Sequence, residues 1–341
     1  MTVTQLLDVD NMARWIQRDG VENILAGLSR YLESDLRRWQ DFEKIPRLAS
    51  HTDFGVIELM PTSDAELFSV KYVNGHPLNP ARGLQTVTAF GVLADVDNGY
   101  PVFVAEMSLL TALRTAALSA LAARELAQPD AQVHALIGAG SQAEFQALAF
   151  RTVLGLEQLR VFDIDSLAVE KVRRNLEPLG MHVHIAESVD EAIDGTDVVT
   201  TCIADKSHLS VLTADQVRPG THLNAIGGDC PGKTELDPQI LEDARVVVEF
   251  EPQTRIEGEI QQMPRDFPVT ELWEVLEGTA PGRVSAHEVT VFDSVGFAIA
   301  DFSALRFARD ATEGTDLQTW IGLVADPDDP KDLFSLLSQP S

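Results

Sequence analysis

The chain has 341 residues, with 26 Lys or Arg against 53 Asp or Glu, for a formal charge of -27. A hydrophobic fraction of 45% supplies a sizeable core and argues against global disorder. The acidic balance argues against nucleic acid or an anionic membrane as partner, because neutralising phosphates supplies most of that affinity.

The length suits two domains. Cys202 and Cys230 are the only cysteines, too few and too far apart for a disulfide framework or a zinc site. The opening MTVTQLLDVD lacks a basic segment followed by an apolar stretch, and no run approaches the ~18 apolar residues of a membrane span. A cytoplasmic protein without metal or membrane attachment is therefore expected.

In chain order, residues 11–40 read as helix, with Ile24, Leu25, Leu28, Leu32 and Leu36 in one stripe. Strand-like runs follow at 54–60, 67–73, 86–94 and 101–105. The turn Asp97-Asn98-Gly99 predicts an antiparallel hairpin between the last two. Residues 108–127 are an Ala- and Leu-rich helix stopped by Pro129. Beyond it strands (133–138, 159–163, 181–185, 197–203, 221–226, 244–249, 288–293) alternate with helices (141–153, 166–178, 187–194, 212–217, 238–243, 269–276). That alternation predicts an α/β fold with a parallel, Rossmann-like sheet. The polar tail 315–341 is expected to return to the first part.

The first strand of that region runs into Gly138-Ala139-Gly140-Ser141-Gln142-Ala143, a G-x-G-x-x-A loop between strand and helix. Gly138 allows the tight turn, and Gly140 lets a pyrophosphate approach the backbone at the helix N-terminus. The second strand ends at Asp163, placed to bind ribose hydroxyls and to repel a 2′-phosphate, so NAD is favoured over NADP. The bland alternative is that Ser141 and Glu144 form only a capping box.

A second glycine-rich stretch, Gly227–Thr234 (GGDCPGKT), matches the phosphate-loop pattern letter for letter. Its chemistry is wrong for that role. Pro231 removes an N–H, Asp229 brings a negative charge, and Pro238 starts a helix only after Lys233 and Thr234 have passed. Its place after the fifth strand of the sheet makes Asp229 either a residue of the substrate site or an ordinary turn aspartate.

Charges in apolar surroundings are the remaining signal. Arg114 lies within LLTALRTAALSALAA, Lys71 within LFSVKYV, Glu58 within GVIELM, and Arg47 precedes that last strand. A buried guanidinium needs an anionic partner and suits a carboxylate. Singly, Lys71 and Glu58 fit the outer face of an edge strand. Together with Asp229 the four would line a pocket for a zwitterion.

The stretches RLASH (47–51), GVIELMP (55–61), KYVNGHP (71–77), LTALRTAA (110–117), GAGSQAEFQALAF (138–150), NAIGGDCPGKTEL (224–236), RIEGEIQQ (255–262), VFDSVGFA (291–298) and DPKDLFS (329–335) resemble the ornithine cyclodeaminase/μ-crystallin family. The resemblance implies a homodimer with an α+β substrate-binding and dimerisation domain (1–114 and 315–341) and an NAD-binding domain (115–314). It implies Arg47, Lys71 and Arg114 for a substrate carboxylate, Glu58 for positioning, and Asp229 for the amine chemistry. Cofactor contacts would come from Thr86, Gly138, Ala139, Gly140, Ser141, Gln142, Asp163, Lys233 and Ser294. The implied reaction is L-ornithine to L-proline and ammonia with catalytic NAD⁺. Lysine cyclodeamination, an NAD(P)H-dependent ketimine reductase or amino-acid dehydrogenase, and a non-enzymatic small-molecule binder are the alternatives within the family.

Overall fold

The computed structural model describes residues 3–203 and 210–337; the last four residues of the tail, 338–341, lie outside the described residues. The first part runs β1 (Thr4–Leu7), α1 (Val9–Asp19), α2 (Val21–Leu36), β2 (Glu43–Lys44), β3 (Leu48–Thr52), β4 (Gly55–Ser63), β5 (Leu67–Gly75), β6 (Val87–Asp95) and β7 (Pro101–Glu106). The helix expected over 11–40 is two helices. Gly20 separates them at φ 81°, its N–H donating to the Ile16 carbonyl at 2.9 Å to close α1. The apolar stripe on α2 is buried as expected, from Ile24 to Leu36.

These strands and β16 (Thr319–Ile321) build one sheet in the order β16-β1-β7-β6-β5-β4-β2, with β3 also on β4. The β6–β7 hairpin is antiparallel and turns through Gly99 at φ 77°. The tail returns through β16 (Thr319–Ile321), which pairs antiparallel with β1. Sequence reading missed β1 and β3: β1 is only four residues long, and β3 is exposed throughout, without an apolar alternation to reveal it.

From α3 (Ser108–Leu126) the chain enters the second sheet. Its elements are β8 (Val133–Ile137), α4 (Ala143–Leu154), β9 (Gln158–Phe162), α5 (Ser166–Leu176), β10 (His182–Ile185), α6 (Val189–Ile193), β11 (Val198–Thr201) and β12 (His222–Ala225). They continue with α7 (Pro238–Asp243), β13 (Arg245–Val248), α8 (Glu251–Glu257), β14 (Thr270–Glu271), α9 (Leu272–Glu277), β15 (Thr290–Asp293) and α10 (Ala298–Thr312). The strand order is β10-β9-β8-β11-β12-β15-β13-β14, parallel at every pairing. β11 and β12 are buried at every position, so neither shows the alternation of a half-exposed strand. The sheet reverses its winding at β8, so the crevice above β8, β11 and β12 opens at their carboxyl ends, where such sheets bind ligands.

α3 and α10 join the two sheets. α10, absent from the sequence reading, leaves the second sheet after β15 and packs on α2, α3 and β5. Its Phe307 ring lies against Gly27 of α2 and is enclosed by Trp15 and Tyr31, with ring centroids 5.4 and 5.1 Å away. A Cβ at Gly27 would overlap that ring. Alanine is worth up to ~1 kcal/mol over glycine in a helix interior, but overpacking costs about 1–3 kcal/mol. Gly27→Ala is therefore expected to lower stability to urea; a raised unfolding midpoint would show that the ring yields freely.

Candidate functional site

The glycine loop sits between β8 and α4. Gly138 has φ 105°, and a Cβ there would lie 2.7 Å from the Cys202 carbonyl oxygen, so only glycine fits. Gly140 faces open space, with nothing within 4 Å of a would-be Cβ. Asp163, at the end of β9, accepts from the Ala139 N–H at 2.7 Å and the Asp165 N–H at 2.9 Å, which holds the loop in place. Gln142 caps α4 without a side-chain hydrogen bond. The capping box is not made: Glu144 instead accepts from Lys171 at 3.0 Å and Asn175 at 2.7 Å. Open backbone at Gly140 and uncapped N–H groups at the start of α4 make a cradle for a phosphate.

The charged residues singled out in the sequence converge between the two sheets. Lys71 of β5 and Arg114 of α3 share one carboxylate, Asp301 of α10, with Lys71 Nζ at 2.9 Å and Arg114 Nε at 3.0 Å. All three are buried, Asp301 at 1% exposure. No protein group among the described residues takes a hydrogen bond from the Arg114 terminal nitrogens, which flank Gly296. Burial, together with Arg114 and Arg47, outweighs Asp301 and lowers Lys71 to about 8. Lys71 is thus not on a solvated edge: β5 lies between β4 and β6, and its inward face meets α10.

Arg47 is held on three sides. Nη1 donates to Glu58 at 3.2 Å, and Nη2 donates to the Val295 and Gly296 carbonyls at 2.7 and 2.6 Å. Nε lies 3.2 Å from Glu257, the last residue of α8. Burial pushes the Glu257 carboxyl up to about 7; Arg47 opposes the rise, and Glu58 and Asp229 add to it. The turn carrying those carbonyls is tied from the other side by Glu249, which accepts from the Ser294 hydroxyl and from the Gly296 and Phe297 N–H groups.

Asp229 lies in the loop after β12, half exposed, 3.2 Å from the buried Lys233 ammonium. The loop is no phosphate cradle. Its Gly232 N–H donates to Gln261 at 2.7 Å, and the Gln261 amide donates back to the Lys233 and Gly258 carbonyls, both at 2.9 Å. Beneath it lie three buried acids. Glu235 accepts from the Ile203 N–H, Glu259 from the Glu235 and Leu236 N–H groups, and Asp293 from the Ile260 N–H. Burial raises Glu235 and Asp293 to about 7 and Glu259 well above the usual carboxylate range. All three tie neighbouring backbone together as hydrogen-bond acceptors.

Arg47, Glu58, Lys71, Arg114, Asp229 and Lys233 are thus gathered at one junction. Ser294 adjoins it through the Glu249 turn. Thr86 sits at the β5–β6 connection, where its carbonyl accepts from the His76 N–H at 2.8 Å. Sequence reading missed Asp301, Glu257 and Glu249. Two of them lie on α8 and α10, helices it did not find, and the third at the end of β13. The signal available was the need of Arg114 and Lys71 for a buried anion.

Residues 9–316 match the sequence model of the ornithine cyclodeaminase/mu-crystallin family. The chain is 54% identical over 337 residues to the ornithine cyclodeaminase of Brucella melitensis, covering 99% of this chain and 94% of the relative. Among solved structures it is similar to a lysine cyclodeaminase described as recognising L-lysine, L-ornithine and L-2,4-diaminobutyric acid. That likeness has a TM-score of 0.91 at 32% identity, over 97% of this chain and 98% of the other. An archaeal alanine dehydrogenase dimer with bound NAD gives a TM-score of 0.86 at 30% identity, over 95% and 100%.

Replacing Asp301 by Asn would leave two buried cations without an anion. Breaking a buried ion pair from one side costs about 3–5 kcal/mol, so Asp301→Asn is expected to lose that much in urea denaturation. A loss below about 1 kcal/mol would show the three groups to be solvated in practice.

Proposed function

The chain belongs to the ornithine cyclodeaminase/mu-crystallin family, and we propose that it converts L-ornithine to L-proline and ammonia with NAD as a resident, regenerated cofactor. The observation that carries the reading is the polarity of the charged site. At one pole two cations, Lys71 and Arg114, share a single acid, Asp301. At the other, three acids, Glu58, Glu257 and Asp229, face two cations, Arg47 and Lys233. A basic amino acid is complementary to both poles, its carboxylate to the first and its distal ammonium to the second.

The residues present fit the cofactor. Gly138, Ala139, Gly140, Ser141 and Gln142 would take the pyrophosphate, and Asp163 the ribose hydroxyls. Thr86, Lys233 and Ser294 would hold the nicotinamide half. When bound, NAD accepts a hydride from the substrate Cα and returns it to the same carbon. The chain's own residues do the rest. Arg114 and Lys71, with Arg47 beside them, anchor the carboxylate and keep Cα in one place through both transfers. Glu58 holds Arg47. Asp229, on the half-exposed rim, takes a proton from the distal amine as its nitrogen bonds to Cα and closes the five-membered ring. It then gives a proton to the α-amino nitrogen as the C–N bond breaks and ammonia leaves. Lysine would need room for one more methylene, a difference of only ~1–3 kcal/mol; the higher identity to an ornithine enzyme favours ornithine.

The partner is a second copy. Leu48, Phe54, Leu59 and Phe90, on or beside β3, β4 and β6, are between 44% and 71% exposed, an apolar surface that a homodimer would cover. Among the described residues no helix is long and apolar enough to cross a membrane.

L-Ornithine deuterated at Cα, supplied with substoichiometric NAD⁺, tests the reading. Many turnovers to proline and ammonia, no net NADH and deuterium retained at Cα are expected. Stoichiometric NADH without proline would replace it with a dehydrogenase, and no turnover of any basic amino acid with a binding protein.

A further inference from the structure

Of the three acids at the negative pole, two are already engaged. Both Glu58 oxygens lie 3.2–3.3 Å from Arg47 Nη1 as hydrogen-bond acceptors. Asp229 accepts from Lys233 and is half open to solvent. Glu257 differs. It is 6% exposed, yet its Oε2 has no hydrogen-bond donor among the described residues. Arg47 Nε, 3.2 Å away, is likewise buried without an acceptor, so the two are close but not aligned for a bond. A buried carboxylate oxygen without a donor costs free energy unless a ligand supplies one.

Its surroundings state what that ligand is. Glu257 ends α8, where the last carbonyls of the helix also favour a cation. Glu58 and Asp229 add negative charge beside it, and the two cations, Arg47 and, at Asp229, Lys233, leave the three acids in excess. Arg47 cannot turn fully to Glu257, because Nη2 is committed to the Val295 and Gly296 carbonyls and Nη1 to Glu58.

We propose that Glu257 is the specificity residue for the distal ammonium of the substrate, its carboxylate accepting a charge-assisted hydrogen bond from that nitrogen. The assignment rests on the cyclodeaminase reading and adds a division of labour to it. Glu257 selects and places the distal nitrogen, and Asp229, on the solvent-facing rim, moves the protons. Substrates with an α-carboxylate and α-amine but no distal amine gain nothing from Glu257. That contrast makes the test.

The experiment compares wild type with Glu257→Gln, measuring KM for L-ornithine and, with NAD present, the inhibition constant of L-norvaline, which has the same carbon skeleton without the distal amine. Losing a charged partner is expected to raise KM for ornithine by about tenfold or more while the norvaline constant stays within about twofold. Equal weakening of both would mean that Glu257 only steadies Arg47, and unchanged KM would mean that it does not meet the substrate; either overturns the proposal. If the Gln variant is insoluble, Glu257→Asp keeps the charge but shortens the reach, and the same contrast between the two ligands is required of it. Failure of the wild type to turn over ornithine would instead count against the cyclodeaminase reading. The binding preference for ornithine over norvaline, and its loss in the variant, would still decide the role of Glu257.

Discussion

One buried carboxylate organises this molecule. Asp301 sits between Lys71 of the first sheet and Arg114 of the connecting helix, all three out of water. None of these charges would be tolerated there alone, since desolvating an ion costs several kcal/mol even after relaxation. Their mutual dependence sets β5, α3 and α10 in one arrangement. Arg47 extends it by clamping the Val295 and Gly296 carbonyls, while Glu249 holds the same turn from behind. Gly296 itself has φ 78°, and a Cβ there would press on the Arg114 guanidinium at 3.1 Å. The turn and the guanidinium are therefore fitted to each other.

The consequence is a site whose charges do not cancel locally. Excess positive charge stands around Asp301 and excess negative charge around Arg47, with the carboxyl ends of β8, β11 and β12 alongside. A site built this way is preorganised: its charges are held by the fold before a ligand arrives, so less reorientation is needed when it binds. The phosphate cradle at Gly140 is arranged on the same principle, with open backbone and an uncapped helix start.

Much of this was legible in the sequence, for a physical reason. A guanidinium inside an apolar run is costly, so Arg114 announced a buried anion, whereas Lys71 alone also fitted the outer face of an edge strand. Gly138 and Asp163 announced a dinucleotide loop because strand, turn and helix agreed around them. The anion itself was not legible. Asp301 lies in AIADFSALRFARD, whose charges read as an ordinary solvated helix face, and nothing local says that this face turns inward onto β5. Glu257 and Glu249 were hidden likewise, because their role depends on which strands a late helix reaches across. In the GGDCPGKT stretch the pattern misleads and the individual residues do not. Its letters fit a phosphate loop, but Pro231, Asp229 and the Gln261 bonds give it another shape.

In the proposed binding mode the substrate lies between two poles of opposite charge. The most direct test is a crystal structure of the Asp229→Asn variant with NAD and L-ornithine bound. The expected result is the ornithine carboxylate on Arg114 and Lys71 and its distal nitrogen at hydrogen-bonding distance, about 3 Å, from Glu257. Ornithine bound the other way round, or with its distal amine in solvent, would contradict it.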